Sequence, residues 1–395
     1  MSIGQERKSR TVIVGAGLAG LRTAEELRKA GYDGEIVLCG AEPHPPYDRP
    51  PLSKEFLAGA LDDTALRPRE FFDEQRIDFR PGRRAVALDT THREVTFADG
   101  ENLGYDDLVV ATGLRPRRLP GLPELAGLHV LRSVDDARML RDSLASARHV
   151  TVVGAGFIGC ELASSARSAG VDVTLVEPQS TPLASVLGEQ VGSLVARLHV
   201  DAGVDVRCGT SLASVEGDTR VRTVVLADGD EIATDAVVIG IGSVPETEWL
   251  DGGGLEVANG VVCDDSGRTG VPHVWAVGDV AAWRAPDGAP ARVEHWTNAG
   301  EQAAVLAAAL TGKPRPADQV PYFWSDQHGL KIQSLGASAP SGTVHVVRDD
   351  GRKFVVYYEV DGTFVGVVGA GAAGQVMKMR GRIGSPIEDV VPTPV

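Results

Sequence analysis

Short apolar runs closed by a glycine recur along the chain, and two of them open the same longer pattern. Thr11-Val-Ile-Val-Gly-Ala-Gly-Leu-Ala-Gly20 is matched by Val150-Thr-Val-Val-Gly-Ala-Gly-Phe-Ile-Gly159. Each copy continues through an alanine-rich helical stretch to Ala-Gly, at Ala30-Gly31 and Ala169-Gly170, and then to a second apolar run. Strand, glycine turn, helix and strand predict a βαβ unit at both places. From Val320 onward the pattern turns to alternation. His345-Val-Val, Phe354-Val-Val-Tyr-Tyr358 and Phe364-Val-Gly-Val-Val368 predict an antiparallel sheet, followed by a helix around Ala372 to Met379. Ala299 to Leu310 is alanine-rich but interrupted by Glu301 and Gln302, which predicts a buried helix and not a membrane span.

The glycines carry the first chemical signal. In each unit one glycine permits a tight turn (Gly15, Gly154), a second lets backbone approach a pyrophosphate (Gly17, Gly156), and a third lets helix pack on strand (Gly20, Gly159). The phosphates would lie over N–H groups at a helix N-terminus, where the local potential is positive. One such motif is weak; two, each between strand and helix, predict two dinucleotide sites. The units differ after their second strand. Val173-Thr-Leu-Val-Glu177 places a carboxylate where it accepts hydrogen bonds from a ribose and repels a 2′-phosphate, which favours NAD over NADP. Arg167 and Arg207 are the nearby cations that would soften this preference. In the first unit the same slot is Gly40, and Glu42 is the nearest acid, either a ribose ligand or an exposed loop carboxylate.

A chain of 395 residues predicts two or three domains. A net charge of −15 disfavours a nucleic-acid partner. The four cysteines are widely spaced, with no Cys-x-x-Cys or Cys/His cluster, so neither a disulfide framework nor a metal site is expected. The polar, basic stretch Met1 to Arg10 gives no secretion signal, and no apolar run approaches a bilayer span, so the expectation is a cytoplasmic protein without a membrane partner.

Two further strands end in chemistry: Asp107-Leu-Val-Val-Ala-Thr-Gly113 and Val274-Trp-Ala-Val-Gly-Asp279. With Pro45-Pro-Tyr-Asp-Arg-Pro-Pro-Leu-Ser-Lys54, Gly159-Cys-Glu-Leu-Ala163, Glu294-His-Trp-Thr-Asn298 and Tyr322-Phe-Trp-Ser-Asp-Gln327, the chain resembles the FAD-dependent ferredoxin reductases of oxygenase systems. The resemblance spans nearly the whole sequence. It implies an α/β fold of two Rossmann-like dinucleotide-binding domains, the NAD domain inserted in the FAD domain, plus a C-terminal α+β domain over the flavin. The boundaries expected are 1–113 and 243–319 for FAD, 114–242 for NAD, and 320–395 for the last domain. By this likeness FAD falls to Gly15, Gly17, Gly20, Glu42, Arg49, Lys54, Thr112, Gly113, Gly278, Asp279 and Trp296. NAD falls to Gly154, Gly156, Glu177, Gly159 and the strand exit at Gly242.

The resemblance also implies that Lys54 pairs with Glu161 near the reacting edge of the flavin. A fixed lysine would stabilise negative charge arriving on the ring, and a glutamate beside it would keep it ionised and in place. The alternatives are a snorkelling surface lysine and an ordinary helical glutamate. Trp324 is expected near the acceptor surface, His295 as a packing residue, and Cys160 as a buried inert thiol. The implied activity is reduction of FAD by NADH and one-electron delivery to a ferredoxin serving a cytochrome P450 or a ring-hydroxylating dioxygenase. Lys378, Arg380 and Arg382, or Arg67 and Arg69, would form a basic dock on an otherwise acidic chain. A rubredoxin or nitrite-reductase-type acceptor, and an NADH-sensing binding protein similar to apoptosis-inducing factor, are the competing readings. A disulfide or peroxide reductase would need a redox cysteine near the flavin, and the segment that follows Glu42 offers none.

Overall fold

The glycine-closed apolar runs become parallel strands. A computed structural model of the chain describes residues 8–285 and 288–391; residues 1–7, most of the stretch read for a secretion signal, lie outside it. The chain divides into two compact units, both discontinuous. The first comprises Met1–Asp48, Thr64–Arg115 and Val244–Gln319, and the second Arg49–Asp63, Pro116–Ser243 and Val320–Val395.

In the first unit five parallel strands lie in the order Val274–Ala276, Asp107–Val110, Arg10–Val14, Glu35–Cys39, Ile77–Arg80. Side chains alternate between the faces of a strand, so each strand feeds two cores. Ile13, Ile36, Leu38 and Val109 pack under the helices Leu18–Lys29 and Trp296–Thr311, where Leu21, Ala24 and Leu27 meet Ala299, Ala303, Leu306 and Ala307. Alanines on the second helix let it approach the first closely. Val12, Val14, Val37, Leu108 and Val110 point the other way, onto Leu88, Val95, Phe97 and Leu103 of a small antiparallel sheet.

The second unit repeats this plan. Its parallel strands run in the order Asp205–Cys208, Asp172–Glu177, His149–Val153, Ala236–Ile239, Leu128–His129. Val150, Val152 and Leu175 face the helices Phe157–Ser168 and Glu189–Asp201, while Val153, Val176, Val237 and Ile239 face the antiparallel strands from Leu212 to Ala233. The alternating C-terminal segment forms an antiparallel sheet in the order Tyr322–Gln327, Leu330–Gly336, Thr363–Ala370, Phe354–Val360, Thr343–Asp349. One face, with Ile332, Phe354, Val356, Tyr358 and Val368, joins the core of the helices just named. The other, with Leu335, Val355 and Val367, lies under Val376 of the short helix Ala373–Lys378. The phenol of Tyr358 donates to the carbonyl of Leu187 at 2.8 Å.

Candidate functional site

The two glycine turns have the same geometry. Gly15 and Gly154 adopt φ of +116° and +100°, and a Cβ there would stand 2.1 Å from the Ala111 carbonyl and 2.3 Å from the Gly240 carbonyl. A Cβ on Gly20 or Gly159 would stand 1.9 Å from the carbonyl oxygen of the turn glycine that precedes it. Strand, turn and helix are therefore pressed together by backbone contact, which no side chain permits. The middle glycines differ: a Cβ on Gly17 or Gly156 would meet nothing within 4 Å. Each caps a 12-residue helix without a side-chain hydrogen bond, and neither helix has an acid in its first turn. Bare glycine backbone before an uncapped helix N-terminus fits a dinucleotide pyrophosphate.

The slot after the second strand separates the two ligands. In the second unit Glu177 accepts hydrogen bonds from the backbone N–H groups of Ala155 at 2.7 Å and Gln179 at 3.1 Å, which fixes its carboxylate at the glycine turn. Arg167 is occupied with Ala202, Val171 and Asp172, and Arg207 with Asp205 and Asp230, so both cations have carboxylate partners of their own. In the first unit a Cβ at Gly40 would press 2.7 Å from the Cβ of Ala16, so the acid is displaced along the chain to Glu42, which accepts a hydrogen bond from the Tyr47 hydroxyl at 2.5 Å.

The remaining residues of the first unit converge on the same strand ends. Gly278, at φ +76°, has room for no Cβ because Ala19 in the first turn of the helix lies against it, and its N–H donates to Gln302 Oε1 at 2.8 Å. Asp279 follows at once. Its carbonyl accepts from Arg292; burial holds the pKa of His295 below the usual value, and the Asp279 carboxylate only partly opposes that. Trp296 Nε1 donates to Asp48 at 2.7 Å. Thr112 donates to the Glu246 carbonyl at 2.7 Å, and the Gly113 carbonyl accepts from Glu246 N–H, which pins the Thr-Gly strand exit. Gly242, in the second unit, closes a similar exit with its carbonyl accepting from Arg117 N–H at 2.9 Å.

Lys54 and Glu161 are brought together within the second unit: Nζ lies 2.8 Å from Oε2, with side-chain exposures of 10% and 3%. A surface lysine and an ordinary helical glutamate are both ruled out by that burial. Glu161 faces its partner because Cys160 and Leu162, on either side, enter the helix–sheet core. Three groups that sequence reasoning missed complete the setting. Ser53 donates to Glu161 Oε2 at 2.5 Å, Ser325 donates to Oε1 at 2.7 Å, and the Pro50 carbonyl accepts from Lys54 Nζ at 3.1 Å. The Arg49 guanidinium donates to the Arg132 carbonyl. Trp324 stacks on Tyr322 at 6.0 Å, with Lys331 Nζ 5.6 Å over its ring.

The cysteines stand apart from this chemistry. All four are free, and burial pushes the thiols of Cys39 and Cys263 up to about 12 and raises Cys160 as well. Thiols so protonated at neutral pH are not nucleophiles. Among the described residues no group of three or more His, Cys, Asp or Glu could hold a metal ion, and no helix is long and apolar enough to cross a membrane.

Comparison with known proteins agrees with this arrangement. The pyridine nucleotide-disulphide oxidoreductase family matches residues 9–303, and the Reductase C-terminal family matches residues 322–389. Rhodocoxin reductase of Rhodococcus erythropolis is 42% identical over 343 residues, 85% of this chain and 80% of that protein. The ferredoxin reductase component of chlorobenzene dioxygenase from Cupriavidus sp. (strain PS12) is 40% identical over 82% of this chain and 80% of its own length. The crystal structure of the covalent putidaredoxin reductase–putidaredoxin complex superposes with a TM-score of 0.93, at 32% identity, covering 97% of this chain and 96% of that one.

Proposed function

This chain belongs to the pyridine nucleotide-disulphide oxidoreductase family, among its ferredoxin reductases, and on that premise we propose that it oxidises NADH and delivers the electrons through FAD to a ferredoxin serving an oxygenase. The observation that carries the reading is the doubled glycine cradle with unlike acid slots: Glu177 fixed at one turn, Gly40 and Glu42 at the other. Bound flavin converts the two-electron donor into single-electron deliveries. The protein supplies binding and electrostatics.

In this reading Gly15, Gly17, Gly20, Glu42, Thr112, Gly113, Gly278, Asp279, Trp296 and Arg49 hold FAD. Gly154, Gly156, Gly159, Glu177 and Gly242 hold NADH, and the Glu177 carboxylate repels a 2′-phosphate. Lys54 stabilises the negative charge that reduction places on the cofactor, without having to move, because Glu161 and the Pro50 carbonyl already hold it. Two serine hydroxyls in turn hold the Glu161 carboxylate in place. The domain boundaries expected from sequence, a cytoplasmic location, and a basic dock at Lys378, Arg380 and Arg382 are parts of the same proposal.

Anaerobic titration tests it. NADH bleaches the oxidised-flavin band and NADPH does so far more weakly. Steady-state cytochrome reduction across a panel of purified ferredoxins and rubredoxins then identifies the acceptor class. A holoprotein that stays oxidised under excess NADH defeats the proposal, and slow reduction into a long-lived charge-transfer complex with no ferredoxin turnover would favour a sensor.

A further inference from the structure

The two serines on Glu161 are the near end of a longer buried chain. Gln327 Nε2 donates to Ser325 Oγ at 3.0 Å, and Gln327 Oε1 lies 3.2 Å from His199 Nε2. His199 Nδ1 lies 2.9 Å from His328 Nε2, with the rings edge to face at 4.5 Å between centroids. Ser325, Gln327 and His199 are each 1% exposed or less. The histidine pair is not used by anything described above.

Valence fixes the direction of every proton in this chain. Glu161, paired with Lys54 and Ser53 at Oε2, accepts from Ser325 at Oε1, so Ser325 spends its single proton there and must accept from Gln327. The amide therefore turns its NH2 to the serine and its oxygen to His199, whose Nε2 must carry hydrogen. A neutral imidazole with Nε2–H has an acceptor at Nδ1, so His328 donates from its own Nε2. Burial, reinforced by His328, holds His199 down at about 3. Burial, then the charges of Arg352 and Arg167, hold His328 at about 4. Both rings are neutral, as the chain requires. All four bonds point toward one carboxylate, and aligned donors in a dry interior polarise and strengthen one another.

We propose that His328, His199 and Gln327 are positioning residues, a one-directional hydrogen-bond chain that holds the Glu161 carboxylate and, through it, Lys54 for electron transfer. The inference rests on the role given to Lys54 in the proposed function. It conducts no proton, because an amide interrupts the line; it orients and stabilises a charge.

The test has two arms. In full-length protein labelled with 15N-histidine, long-range 15N–1H spectra at pH 7 show His199 and His328 as neutral Nε2–H tautomers, assigned by loss of signals in H199F. An Nδ1–H tautomer at His199, or titration of His199 near 6.5, overturns the chain with no reference to the flavin. In stopped flow, His199→Phe slows NADH-driven flavin reduction by up to about 10-fold, the upper end of what one neutral hydrogen bond contributes. It does so at unchanged NADH affinity and full FAD content, and with a lowered flavin midpoint potential. His199→Gln, whose amide nitrogen replaces Nε2–H, restores the rate to within about 2-fold. If K54M is slow while H199F reduces at the wild-type rate, the chain is wrong and the function stands. If K54M also reduces at the wild-type rate, the role given to Lys54 falls and the purpose of the chain with it.

Discussion

At the scale of single residues, the backbone contacts of the third glycines separate the two dinucleotides experimentally. A methyl group at Gly20 or Gly159 would sit 1.9 Å from a carbonyl oxygen, so the turn must open. Gly20→Ala is expected to purify with little FAD, read from its visible absorbance. Gly159→Ala is expected to keep FAD and to raise the KM for NADH at least ~10-fold, the scale of a lost phosphate-cradle contact. The Lys54–Glu161 pair gives a second separation. Glu161→Ala leaves a nearly buried ammonium without its counter-charge, a loss of about 3–5 kcal/mol measurable by urea denaturation. The double variant K54M/E161L, which removes both charges, is expected to recover most of that stability while flavin reduction stays slow. Recovery of both would show that the pair serves folding alone, and recovery of neither that the lost stability is not that of the unpaired charge. These glycines and this pair were legible in sequence, because φ above zero and close backbone approach demand glycine, and because Lys54 and Glu161 lie in motifs of a known family. Ser53, Ser325 and Gln302 were not legible: a serine hydroxyl or an amide gains its meaning only from what lies opposite, across 108, 164 and 24 residues of chain respectively.

At the scale of elements, the alternating pattern predicted the C-terminal sheet and the helix after it, and the helix Ala373–Lys378 falls inside the range expected from Ala372 to Met379. What alternation did not show is which core each face would enter. One face of that sheet shares buried residues with the helices Phe157–Ser168 and Glu189–Asp201, and the turn at His328 reaches His199 on the second of these. This junction is acid-sensitive, with a definite sign. Both histidines have folded pKa values below the usual 6.5, so between about 6.5 and 4 the unfolded chain binds protons that the folded one refuses. The stability they contribute is complete above pH 6.5 and is lost as the pH falls toward 4. Urea midpoints measured from pH 7 to pH 5 are expected to fall in the wild type and to fall less in His199→Phe. An equal decline in both would remove His199 as its source.

At the scale of the molecule, a net charge of −15 opposes association with another acidic protein, and salt screens that repulsion as well as any local attraction. Lys378 and Arg382 are exposed on the last helical turns, and Arg380 is half-buried between them. If this face receives the acceptor, Arg380→Glu lowers ferredoxin-dependent cytochrome reduction by roughly 10-fold at low ionic strength, and the deficit shrinks as salt is added. NADH–ferricyanide activity is expected to stay unchanged, and equal loss of both activities rejects the dock.

The wide sequence spacing of the groups around Glu161 also bears on synthesis. Its lysine partner leaves the ribosome early, but Ser325 is 164 residues further on. At elongation rates of about 5–20 residues per second, the carboxylate waits roughly ten to thirty seconds for the hairpin that seals it. During that interval the nascent second unit exposes the apolar surface that the last sheet will cover, which makes the growing chain, more than the finished enzyme, the form in need of a chaperone.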